Sequence, residues 1–171
     1  MFLFCLAFQQ INFKWGSEMS RAPFQVLIIP YIVTDTAIEY AVFRRSDTGV
    51  IQFLAGGGER GEIPLQAAVR EALEEAGINN QSTFLELQSK ASIPVSCFTD
   101  RAHWPNDMYV VPEHSFGVQV TEPSFKLSRE HLSFEWCSYI TAFNKLTYSG
   151  NRTALWELHC RLRGIAPRQT V

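Results

Sequence analysis

The chain has 171 residues, 46% of them hydrophobic and 19% charged, with a formal net charge of -2. That is enough for one domain with a real core, and the charge gives no global pull toward nucleic acid or anionic membrane. Cys5, Cys97, Cys137 and Cys160 lack the close spacing of a zinc site; they fit reduced thiols in a cytoplasmic protein, with pairing left open.

The chain opens on MFLFCLAF, with no Lys or Arg before Lys14. It lacks the charged start of a secretory signal and falls short of the ~20 residues of a membrane span. Residues 1–18 are expected to be an extension upstream of a start at Met19, or else a partner-binding or frayed tail. A single domain then covers 19–171. Phe24–Val33, FQVLIIPYIV, is β-branched and aromatic and predicts a strand. Ile38–Arg44 alternates and predicts a second, antiparallel strand after a turn at Asp35-Thr36. Val50–Leu54 predicts a short strand feeding a loop of three glycines, Gly56 to Gly58.

Ile63–Ala76 is the clearest helix, with Pro64 in its first turn and Gly77 past its end. Thr83–Ser96 predicts one or two strands. Asp100–Pro112 predicts an excursion loop whose Trp104 and Tyr109 could stack on a ligand ring or simply pack. His114–Val120 and Leu132–Tyr139 predict strands, and Arg152–Arg163 a closing helix with Ala154, Leu155, Leu158 and Leu162 at helical spacing. Strands flanked by helices predict an α/β fold, an α/β/α sandwich around a mixed sheet.

On a helical wheel Leu65, Ala68, Val69, Ala72, Leu73 and Ala76 fall in an arc of roughly 140°, expected to pack on the sheet. Glu71, Glu74 and Glu75 fall in a separate arc of roughly 100°. This face is either a solvated acidic surface or a cation site. The glutamates lie in the last turns, where the helix dipole disfavours negative charge. Each like-charge pair costs on the order of 0.2–0.5 kcal/mol. Arg70 is the helix's only cation. A hard divalent cation would relieve the repulsion. The bare glycines would permit positive φ and close backbone approach to a metal or phosphate.

Gly56, Glu62, Arg70-Glu71, Ala72, Glu74-Glu75 and Gly77-Ile78 are spaced as in the Nudix box. By these residues the chain resembles the Nudix hydrolase family, with alanine at 72 where a larger aliphatic is commoner. The resemblance implies the Nudix fold and a metal-dependent enzyme, using Mg²⁺ or Mn²⁺, that hydrolyses phosphorus-containing anhydrides. It implies Glu74 and Glu75 as principal metal ligands, Glu71 as a further ligand or base, and the Ala55 carbonyl as a backbone ligand. Glu62 and Arg70 would fix loop against helix, with Gly56 and Gly77 as motif glycines.

Outside the box, VLIIPY, AVFRRSD, PEHSFGV, SREHLSFEWC and NRTALWEL are similar to the branch containing dihydroneopterin triphosphate and dATP pyrophosphohydrolases. That likeness implies cleavage of a nucleoside or pterin triphosphate to monophosphate and pyrophosphate. It adds Glu130 to the metal site. Arg44 and Arg45 are candidates for phosphate binding, and Glu113 for metal or substrate contact. His103, His114 and His131 read as surface or hydrogen-bonded residues rather than catalysts. The rival readings are a housecleaning hydrolase of oxidised nucleotides, dinucleoside polyphosphates or nucleotide sugars, and a non-catalytic nucleotide-binding module. The expected partner is a small nucleotide or pterin triphosphate, with no nucleic acid or membrane; a homodimer is compatible with this reading.

Overall fold

The computed structural model describes residues 21–166. The expected extension over 1–18 lies outside them, as does Cys5. The elements are β1 (Arg21–Val33), β2 (Ile38–Arg45), β3 (Ile51–Gln52), β4 (Leu54–Glu59), α1 (Pro64–Ala76), β5 (Phe84–Pro94), β6 (Val110–Gln119), β7 (His131–Cys137), α2 (Tyr139–Lys145) and α3 (Ser149–Arg163). A short 3₁₀ turn, Val95–Cys97, ends the expected strand region, and a second, Thr99–His103, opens the expected excursion. No helix among the described residues is long and apolar enough to cross a membrane.

The sheet is mixed, with β3, β2, β1, β6 and β5 in that order, β4 also on β1 and β7 also on β2. β1 is the hinge of this arrangement. Its first half pairs antiparallel with β4, ending at Ile28 opposite Leu54. Its last residues pair antiparallel with β2, from Tyr31 opposite Tyr40. β6 runs parallel along its other edge from Gln25 to Tyr31. Pro30 falls between the two antiparallel partners, where a missing N–H leaves neither ladder short of a donor. The antiparallel partner of β1 therefore changes from β4 to β2 around Pro30.

Successive β1 side chains enter opposite layers. Leu27, Ile29 and Tyr31 join Phe53, Leu155 and Leu158 on the α3 side. Val26 and Ile28 join Leu54, Phe116, Ala68 and Ala72 on the α1 side. This is the expected α/β/α sandwich. The short helix α2 was not anticipated from the sequence; Ser138 caps it by accepting from the Thr141 N–H.

Two local expectations are overturned. Gly56, Gly57 and Gly58 lie within β4 rather than in a loop, and none has positive φ. The wheel of α1 is also rotated from the expected one. Ala67, Ala68, Ala72, Ala76 and Glu75 are buried, whereas Leu65 and Leu73 are 43% and 50% exposed. Alanines at 68, 72 and 76 let the helix lie close to the sheet, and that close approach turns Glu71 and Glu75 inward with them.

Candidate active site

The β4 glycines are explained by what occupies the space beside them. A Cβ on Gly56 would come within 2.0 Å of Glu71 Cδ; one on Gly57, within 2.0 Å of Arg21 Nε; one on Gly58, within 2.1 Å of Phe24 Cζ. The Glu71 carboxylate thus lies directly on the bare backbone of Gly56. No larger residue at 56 leaves it there.

Arg70 ties strand to helix. Its Nε and Nη2 each donate to one oxygen of Glu62 at 2.9 Å, its Nη2 also donates to the Gly57 carbonyl at 2.8 Å, and its Nη1 donates to Glu71 Oε1 at 2.8 Å. A longer bond of 3.2 Å reaches Glu74. This bidentate fork holds Glu62 below the usual carboxylate range, helped by the Glu59 N–H. The helix closes at Gly77, whose left-handed backbone (φ 68) donates its N–H to the Leu73 carbonyl at 2.9 Å.

A cleft of about 960 Å³ collects Ala55, Gly56, Glu71, Glu75, Glu130, Arg45 and Glu113 in its lining. Burial is the main reason that Glu71 rises to about 7; Glu75 and Glu74 add repulsion, opposed by Arg70. Glu75 is also pushed up by burial, with the nearby Glu130 adding to the effect. It is 4% exposed and its Oε2 lies 2.8 Å from His131 Nε2, which donates to it. Glu130 accepts from Arg45 Nη1 at 2.7 Å, and Arg45 also pairs with Asp47. Glu113 is raised by burial and accepts from Gln25 Nε2 at 2.8 Å.

Two candidates fall outside the cleft lining. Glu74 is 58% exposed and bonded to Arg70. Arg44 alternates with Arg45 along β2, so it faces the other way and donates to the Gly49 carbonyl. The expected stacking residues are not in the cleft wall either. Trp104 is buried against Phe98, and Tyr109 is 83% exposed. Their place is taken by Phe98 and Tyr148.

Gln25 and Asn151 line the cleft, and His131 bonds Glu75 as a hydrogen-bonded rather than catalytic histidine would; none of the three partners is legible in the sequence. Asn151 Oδ1 accepts from the Phe53 N–H at 3.0 Å, so only its NH₂ remains to face the cleft. Its segment NRTALWEL carries the branch likeness, which is a signal without a role attached.

The NUDIX domain family model matches residues 29–155. The chain belongs to the Nudix family. A protein of Listeria monocytogenes assigned as a Nudix hydrolase is 40% identical, with a TM-score of 0.76 over 84% of this chain and 96% of its own. Nudix hydrolases act on phosphorus anhydrides and generally use divalent metal ions, and this chain carries the domain of that family. The dihydroneopterin triphosphate pyrophosphohydrolase of E. coli shares the fold, at 23% identity and a TM-score of 0.67 over 83% of this chain and 99% of its own. An octanoyltransferase of Myxococcus xanthus is 34% identical over 113 residues, 65% of this chain. The chain spans about a third of that relative, the match covering 29% of it.

The cleft residues suit a divalent cation by chemistry. Glu71, Glu75, Glu130 and the Ala55 backbone offer only hard oxygen donors, and repulsion from Glu75 and Glu74 adds to the burial that raises Glu71. Among the described residues no three acidic, histidine or cysteine side chains already converge to coordinating distance.

Proposed function

We propose that this enzyme is a pyrophosphohydrolase that cleaves a nucleoside or pterin triphosphate, of dATP or dihydroneopterin triphosphate type, to monophosphate and pyrophosphate with Mg²⁺. The observation that carries the reading is the mixed lining of one cleft. Glu75 is electrostatically coupled to both Glu71 and Glu130, and Gln25, Glu113, Phe98 and Tyr148 line the same cleft. The first group suits a charged phosphate chain with its cation, and the second suits a flat ring.

Glu71, Glu75 and Glu130, with the Ala55 backbone, would hold Mg²⁺ (or Mn²⁺); Glu74 would join them by releasing Arg70. The cation supplies charge neutralisation of the phosphates and a lowered pKa for water. The protein's own residues do the rest. Glu71, placed beside the Gly56 backbone, would be the group to accept a proton from the attacking water. His131 orients Glu75, and Arg70 fixes Glu71 against Gly56. Arg45, at the cleft wall, can exchange Glu130 and Asp47 for a phosphate oxygen. We assign residues 19–171 to the single domain that carries this site.

The test is a panel with Mg²⁺: dATP, dGTP, dihydroneopterin triphosphate, an oxidised nucleotide, a dinucleoside polyphosphate and a nucleotide sugar. Pyrophosphate release from a triphosphate is expected. Turnover confined to the last three substrates would replace this reading with a housecleaning one. No turnover would leave a binding module, and turnover unchanged by Glu75→Gln would remove this carboxylate cluster from the chemistry.

A further inference from the structure

Gln25 and Glu113 are register partners on the parallel strands β1 and β6. Gln25 Nε2 lies 2.8 Å from Glu113 Oε2, and both residues line the cleft. Glu113 is 4% exposed, a depth at which a carboxylate without partners is rare. Its other oxygen, Oε1, has no bonded partner among the described residues, and a Cβ added at Gly150 of α3 would lie 3.9 Å from it.

The chemistry of the pair fixes what it can recognise. An ionised carboxylate only accepts, so the glutamine amide must turn its NH₂ toward Glu113. That leaves Gln25 Oε1 and Glu113 Oε1 as two acceptors on one bonded pair, with no donor among the described residues. Gly57, Gln25 and Glu113 are aligned across β4, β1 and β6. At ~4.8 Å per strand the pair lies ~5–10 Å from the glycine segment. It is thus offset from Gly56 and the Glu71 carboxylate beside it, and it shares the cleft with Ile93, Phe98 and Tyr148.

We propose that Gln25 and Glu113 read the donor edge of a 2-amino-4-oxopyrimidine ring, as found in guanine and in pterins. Its ring N–H and exocyclic amine present two adjacent donors to these two acceptors. Adenine presents an acceptor beside its amine and leaves one acceptor of the pair unmatched. A site built to bond a donor rejects the analogue that lacks it much more strongly than an apolar pocket rejects a misfit. The proposal rests on the reading of the cleft as the seat of a ring carried on phosphates, and it narrows that reading to one ring class.

The test measures binding to the metal-free protein, so it does not depend on turnover. GMP, IMP, AMP and neopterin are titrated against wild type, Glu113→Gln and Gln25→Met. GMP is expected to bind ~10-fold or more tightly than AMP, a usual ratio for a two-bond match. IMP, without the 2-amino group, should be weaker than GMP. Neopterin competing with GMP assigns the site to pterins as well; its failure to compete assigns it to guanine. Both variants should lower the GMP-to-AMP ratio, and Gln25→Met keeps the test open if Glu113→Gln does not fold. Equal affinities for GMP and AMP, or a ratio unchanged in both variants, would overturn the proposal. A protein that keeps the preference but hydrolyses no triphosphate loses the pyrophosphohydrolase reading alone.

Discussion

His131 Nε2 donates to Glu75 Oε2 across 2.8 Å, and both side chains are at most 5% exposed. The bond joins the start of β7 to the last turn of α1. It keeps a carboxylate in the protein interior that burial alone would drive toward its neutral form.

Replacing the donor should therefore cost stability in a pH-dependent way. His131→Leu is expected to lose ~2–3 kcal/mol at pH 8. The loss should shrink toward pH 5, where Glu75 can take up a proton instead of needing a partner. His131→Gln, which keeps an N–H donor, should recover part of it. Urea unfolding at the two pH values checks this. Equal losses at both would show that the ring acts by packing alone.

Gly56→Ala tests the claim that bare backbone exists to seat Glu71. The added methyl meets the flexible end of a side chain, so the fold should survive with a modest drop in melting temperature. The carboxylate should be displaced, and kcat should fall ~100-fold, as for other ~1 Å misplacements of reacting groups. A variant with full activity would separate the glycine from the chemistry.

Glu71 makes the metal-free protein less stable as pH rises. Its folded-state value is about 7, against an ordinary 4.5. Between those values the folded state holds the proton and the unfolded state has released it. Stability from this group is highest below pH 4.5 and falls until about pH 7, by up to ~3 kcal/mol. Glu71→Gln removes the dependence, so its melting temperature should gain on wild type between pH 5 and pH 8 in chelator. Turnover should be lost in the same variant. A constant difference in melting temperature across that range would sink the assignment of Glu71 as the strained carboxylate.

Arg70→Lys should cost ~2–3 kcal/mol despite the conserved charge, because an ammonium cannot serve Glu62, Glu71 and the Gly57 carbonyl from one plane. Activity should fall further than Glu62→Gln makes it fall, since Arg70 also orients Glu71. Denaturant unfolding and initial rates of the two variants check the order.

Binding of Mg²⁺ to the native state alone should raise the melting temperature of wild type, by mass action. The increase should be larger at pH 8 than at pH 5, because protons compete for Glu71 and Glu75 at the lower value. Calorimetric scans with and without chelator measure it, and no increase at either pH would remove the carboxylate cluster as the metal site.

The sequence by itself determined the family, the layered α/β/α order and the local chemistry. The spacing from Gly56 to Ile78 is a local pattern, and so are Pro64 and Gly77 at the ends of α1. Local patterns survive without knowledge of the fold. The sequence misled where the answer depended on what lies across space. A helical wheel gives angles but not the direction of the sheet, so it put Leu65 and Leu73 inward; the alanine row at 68, 72 and 76 turned the helix and took Glu71 and Glu75 with it. The glycines suggested a loop, because no sequence signal says that a glutamate 15 residues later occupies the space beside Gly56. Alternation alone could have separated Arg44 from Arg45, once β2 was known to border the cleft. The Gln25–Glu113 pair, 88 residues apart, and the His131–Glu75 bond exist only because β1, β6, β7 and α1 meet. Tertiary structure decided these contacts, because register and helix rotation are set by packing of the whole core rather than by any one segment.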